Sequence, residues 1–105
     1  MVNRLRGEVE AVLDGRRWTL CLTLGALAEL EAALDAGDLL ALAKRFEDGK
    51  LAARDAIRIL GAGLRGAGND LDDAAVAAMR AEGGAAGYVA IVAELLAATF
   101  GGTQG

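Results

Sequence analysis

The chain has no histidine and no proline, one cysteine, and four aromatic residues in 105. Without histidine it lacks the commonest general base and the commonest transition-metal ligand. Cys21 alone cannot close an intrachain disulfide, and it builds neither a metal site nor a redox motif. As a nucleophile it would need a neighbouring base that the composition does not supply. The missing proline suits a chain made mostly of helix. No run reaches the ~18 to 20 uninterrupted apolar residues of a membrane span, and the opening M-V-N-R-L-R-G has no apolar signal region, so a cytoplasmic protein without membrane contact is expected. Positive charge is also scarce towards the end. Residues 1–66 hold ten acidic and ten basic side chains, whereas residues 67–105 hold five acidic ones against Arg80. An acidic chain poor in aromatics is a weak nucleic-acid binder, because phosphate contacts need clustered Lys and Arg.

What is present is apolar, at 54% hydrophobic residues, and 105 residues make one domain. The stretch from Glu8 to Leu34 organises it. Val9 and Ala11 alternate with Glu8 and Glu10, Asp14-Gly15 tolerates positive φ, and Trp18, Leu20 and Leu22 alternate with Arg17, Thr19 and Cys21. This predicts a β-hairpin in which Trp18 faces Ala11, Leu20 faces Val9, Thr19 faces Glu10 and Cys21 faces Glu8. Trp18 is expected beneath the hairpin, against Leu27 or Leu60. Thr23 is placed to cap a helix that begins at Leu24 and carries Leu27, Leu30 and Leu34 on one side.

Four more helices follow. Asp38 caps a short one with Leu39, Leu42, Ala43 and Phe46 on one face, ended by Asp48-Gly49. A third runs from Ala52 to Arg65 with Ala53, Ala56, Ile57, Leu60 and Leu64 at core spacing and Ile59 opposite, the pattern of a middle helix with several neighbours. Arg54, Arg58 and Arg65 share one edge of it, as either a solvated face or a partner surface. Asp72 and Asp73 start a fourth helix, Ala74 to Glu82, where the helix dipole favours negative charge. The last, Ala85 to Phe100, is apolar nearly all round. Ile91, Val92 and Leu95 are expected in the core, while Val89, Leu96 and Phe100 form a second stripe, either core as well or left for another chain. The reading is an α+β, mainly α domain over residues 1–101, an N-terminal hairpin followed by about five helices in a small bundle. Residues 102–105 read as a flexible tail.

Gly61-Ala62-Gly63-Leu64-Arg65-Gly66 matches the dinucleotide fingerprint letter for letter, but its context is wrong. A Rossmann turn opens a helix on the pyrophosphate, whereas here Gly66, Gly68 and Asn69 end one, and no acidic residue follows a second strand. Close-approach points on the third helix are the expected role. Asp70, Asp72 and Asp73 do not make a calcium loop, since positions six and twelve are Ala75 and Ala81 in place of Gly and Glu. Neither cofactor nor metal is expected.

R-L-R-G-E-V from Arg4, L-D-G-R-R-W in the hairpin, T-L-G-A-L-A-E-L-E from Thr23 and A-R-D-A-I-R-I-L-G-A-G-L-R-G-A-G from Ala53 resemble the small tail-cluster protein of alphaproteobacterial gene transfer agents. These are phage-derived particles that package host DNA. The likeness spans about residues 3 to 101, and that family in turn is similar to phage tail assembly chaperones. The resemblance implies a non-enzymatic chaperone that binds the helical tape-measure protein before the tail tube polymerises; self-association is the other use that the second apolar stripe of the last helix offers. The family also carries a tail-tube label, which implies a structural tail subunit instead. Val89, Leu96, Phe100, Arg54, Arg58 and Arg65 are the candidate partner-binding residues.

Overall fold

The computed structural model describes residues 7–33, 39–50 and 52–101. Leu34, the Asp38 cap and the tail from residue 102 onward lie outside them, as do the side chains of Leu39, Leu42 and Ala43. Two antiparallel strands, β1 (Glu8–Leu13) and β2 (Arg16–Cys21), are followed by five helices: α1 (Leu24–Ala33), α2 (Leu39–Glu47), α3 (Ala53–Gly66), α4 (Asp73–Ala77) and α5 (Ala85–Leu96).

The hairpin pairs Val9 with Leu20, Glu10 with Thr19, Ala11 with Trp18 and Glu8 with Cys21, as the alternation requires. Asp14 and Gly15 both take positive φ, 55° and 74°, which gives the turn a twist that matches the strands. Val9, Ala11, Leu13, Leu20 and Leu22 turn one face into the core. Trp18 shares that face but is half-buried at its margin. Its indole N–H donates to the Leu13 carbonyl at 3.2 Å, and the Arg16 guanidinium lies 4.8 Å from the ring centroid. The ring is anchored by its polar edge, not sunk beneath the sheet.

Helix α1 starts where the Thr23 hydroxyl accepts from the Ala26 N–H at 3.1 Å. Helix α3 is the middle of the molecule, in contact with α1, β2, α4 and α5. Ile59, Leu60, Ala62 and Leu64 are all buried, so both sides of the helix are covered. Ala53, at its start, is exposed, and Ala56 and Ile57 are only half-buried. The row expected to be core throughout is core only in its second half.

Helix α4 begins on schedule, with Asp72 Oδ1 accepting from the Ala75 N–H at 2.8 Å, but it ends at Ala77, not Glu82. The hairpin turn stops it. The Asp14 N–H donates to the Arg80 carbonyl at 2.8 Å, the Arg80 N–H donates to Asp14 Oδ1 at 2.9 Å, and Leu13 bridges Ala81. Tertiary pairing outbids the helical propensity of the alanines there. Helix α5 is succeeded by a π-helical turn, Ala97–Gly101, in which the Thr99 hydroxyl donates to the Leu95 carbonyl at 2.7 Å. A hydroxyl bonded four residues back competes with the regular ladder.

Candidate functional site

An apolar cleft of about 460 Å³ opens between the end of α2, the first half of α3, α4 and the first half of α5. Leu60, Val76 and Val92, all buried, form its floor. Phe46 and Ile57 stand on one wall, and Tyr88 and Val89 on the other. The Tyr88 hydroxyl, the polar group among these side chains, donates to the Met79 carbonyl and is therefore committed. What such a surface can do is bind apolar groups by taking them out of water.

The cleft was not foreseen in the sequence because Ala53, Ala56 and Ile57 repeat at the spacing of any buried helix face. The end of α2 was readable from Asp48-Gly49, but how far α2 covers α3 was not.

The six candidate partner-binding residues do not form one surface. Val89 is 55% exposed on the rim of the cleft. Leu96 is 6% exposed and belongs to the core with Val92 and Leu95, while Ile91 and Phe100 are half-buried against it. The division of α5 therefore does not run between the two predicted stripes. Leu96 faces inward, and the exposed side carries Ala85, Ala86, Val89 and Ala90.

The arginine row divides as well. Arg54 is exposed. The Arg58 guanidinium donates to the Ala33 carbonyl at the end of α1. Arg65 donates to Glu29 Oε2 of α1 at 2.5 Å, to Asp73 Oδ1 of α4 at 3.1 Å and to the Leu71 carbonyl at 2.9 Å. The hydrogen bond it donates to Glu29 chiefly raises its pKa above the ordinary arginine value, with Asp73 adding and partial burial opposing. The cation is permanent at physiological pH, and its work is to fasten α1 and α4 to the end of α3. Arg65→Leu is expected to cost about 1 to 2 kcal/mol in urea unfolding, because the network is partly exposed. An unchanged midpoint would show that water replaces all three bonds without loss.

Three carboxylates are engaged as well. Asp55, 8% exposed, accepts from Arg45 and from the Ala52 N–H, each at 3.4 Å, and so holds α2 to the start of α3. Asp72 caps α4 and Asp73 binds Arg65. Among the described residues no three His, Cys, Asp or Glu side chains are grouped to hold a metal ion, and no helix is long and apolar enough to cross a membrane. The glycines of the G-x-G-x-x-G run lie in the last turns of α3, with Asp73, the Leu95 and Leu20 side chains, and the Cys21 backbone against their open faces.

Two comparisons, with curated proteins and with solved structures, return no match. The chain does match, over residues 6–102, the family described as phage tail tube protein, GTA-gp10. That description names a structural subunit, and it overturns the expectation of a non-structural assembly chaperone in favour of the alternative, a structural tail protein. Sequence resemblance alone could not decide between them, since the same residues carry both labels and the separating feature, presence in the finished tail, is not a motif. With the match running over nearly the whole sequence, the chain belongs to the phage tail tube protein family, GTA-gp10.

Proposed function

We propose that this protein is a structural, tube-associated subunit of a phage-like gene transfer agent tail, acting through protein contacts and without chemistry of its own. The observation that carries the reading is the family match over residues 6–102. The cleft supports it, because an apolar depression with a single committed polar group suits the seating of another protein's side chains. Its neighbours in this reading are other tail proteins, among them further copies of itself and the tape-measure protein, here an adjoining component and not a client.

Quantitative mass spectrometry of purified particles tests the proposal. The chain is expected there in multiple copies per tail, and its deletion is expected to leave heads without complete tails. If it is missing from purified particles while lysates contain it, the structural reading fails.

A further inference from the structure

We propose that the hairpin turn is a self-modification site, at which the chain converts its own Asp14-Gly15 linkage to an isoaspartyl one; the inference is independent of the tail-subunit reading above. The reaction needs an electrophile, a nucleophile and a group to hold the charge that develops between them. Asp14 Cγ is the electrophile, and Asp14 Oδ1 accepts from the Arg80 N–H at 2.9 Å. That donor stands where negative charge gathers when the carboxyl carbon becomes tetrahedral, the placement that stabilises an oxyanion. Gly15 N is the nucleophile. Neither its N–H nor the Asp14 carbonyl is hydrogen-bonded among the described residues, and a Cβ built on Gly15 would have nothing within 4 Å, so the peptide between them has room to turn. With both loop residues at positive φ the turn is of type I′. Closing a five-membered ring from Gly15 N to Asp14 Cγ needs the other hairpin turn, type II′, whose first loop residue has φ about +60° and ψ about −120°. Asp14, at φ 55°, already meets the first condition. Rotation of one peptide plane brings the nitrogen to the carboxyl with both strands in place, because either turn type fits a hairpin.

The step balances without an oxidant or reductant. Gly15 N attacks Cγ, the amide proton and one carboxyl oxygen leave with a solvent proton as water, and a succinimide remains. Water then adds to the Asp14 backbone carbonyl carbon and breaks its bond to Gly15 N, so the chain runs on through Cβ and Cγ and a free carboxylate stays on Cα. One water is lost and one regained. The effect reaches the helical layer. Asp14 holds residue 80 by its N–H, at 2.8 Å from the Arg80 carbonyl, and by Oδ1, and these bonds with the Leu13 to Ala81 bridge are what stop α4. Isomerisation lengthens the chain by one methylene and moves the carboxylate to Cα, so the clasp loses its fit and residues 78–82 are released from the turn. The second Asp-Gly pair lacks this arrangement. At Asp48-Gly49 the Gly49 N–H donates to the Phe46 carbonyl at 3.1 Å, and among the described residues no donor lies on the Asp48 carboxylate.

Incubation of the native full chain in heavy-oxygen water at neutral pH, followed by tryptic mapping, tests this. Residues 7–16 and 46–50 form separate tryptic peptides that carry one Asp-Gly each, so the second is an internal control. Each isoaspartyl event takes up one solvent oxygen, and the isomer separates from the aspartyl peptide by chromatography. Asp14 should convert at least about 10-fold faster than Asp48 in the native protein, the worth of one hydrogen bond to a charged group. In urea the two should convert alike. Arg80→Pro deletes the donor N–H and should slow Asp14 by about 10-fold, whereas Arg80→Ala keeps the donor and should leave the rate unchanged. Circular dichroism and an unaltered Asp48 rate check the fold of both variants, and the comparison of Asp14 with Asp48 stands without either. In the purified isoaspartyl form the Arg80 amide should exchange about 10-fold faster, while the Val9 and Leu20 amides keep their protection. An Asp14 no faster than Asp48 in the native protein, a folded Arg80→Pro as fast as wild type, or an isoaspartyl form with its Arg80 amide as protected as before would each overturn the proposal.

Discussion

Gly66→Ala should destabilise the protein by about 2 to 4 kcal/mol, a large share of the 5 to 15 kcal/mol that holds a domain of this size together. Propensity argues the other way, since alanine in a helix is favoured over glycine by about 1 kcal/mol. The sign of the measured change therefore decides which effect rules. At Gly66 the added methyl would run into the Cys21 carbonyl of β2, with the Ala26 methyl also in contact. A backbone carbonyl at a strand end cannot turn aside as a side chain can, so α3 must part from the hairpin and from α1 at once. The other glycines of the run provide the controls. At Gly63 the obstacles are the Leu95 Cδ2 at 2.8 Å and Leu20 Cβ at 3.3 Å, which can yield in part. At Gly61 they are the ends of the Asp73 and Arg65 side chains, which can swing out. Denaturant unfolding of the three alanine variants should rank the cost Gly66 first, Gly63 second and Gly61 last. A stabilised Gly66→Ala variant would mean that the last turn of α3 does not press on the hairpin.

That ranking bears on how the G-x-G-x-x-G run is to be understood. Gly63 and Gly66 fall on neighbouring parts of the helix surface and Gly61 nearly opposite Gly63, and each admits a different neighbour: α4 at Gly61, α5 with β2 at Gly63, and the β2 end with α1 at Gly66. The run is a set of helix-packing points that allows the central helix to be approached closely on several sides. It resembles a phosphate-binding loop in letters because both uses require the absence of a Cβ.

The hairpin was legible in the sequence to the single residue. Its alternation and its two-residue turn are independent signals that agree on one register, and a slip by one place would expose Val9, Ala11 and Leu20 together. The Thr23 and Asp72 caps were legible for a similar reason, because they are local and depend on a hydroxyl or carboxylate reaching an N–H three residues on. What could not be read were the outcomes set by distant partners. Ala78 to Glu82 have helical composition, yet Asp14, more than sixty residues earlier, holds Arg80 in an extended pairing with the turn. Leu96 and Val89 were assigned to one stripe by periodicity, but one is in the core and the other on the rim of a cleft. Periodicity shows which residues share a face. It does not show how far a neighbour extends along that face.

The apolar row of α3 converts that distinction into a measurable difference. Leu64 and Ile57 lie seven residues apart, two turns along the same side of the helix, and sequence treats them alike. Leu64 is fully buried in the core of the folded chain, whereas Ile57 is half-buried on the cleft wall. Leu64→Ala should cost about 3 to 4 kcal/mol, because it removes a packed side chain and leaves a cavity that β2, α1 and α5 cannot fill without moving. Ile57→Ala should cost only about 1 kcal/mol in the isolated protein, since water already reaches part of that side chain and the cleft merely widens. Equal losses of stability at the two positions would show that the cleft closes in solution, and that the first half of α3 is core after all.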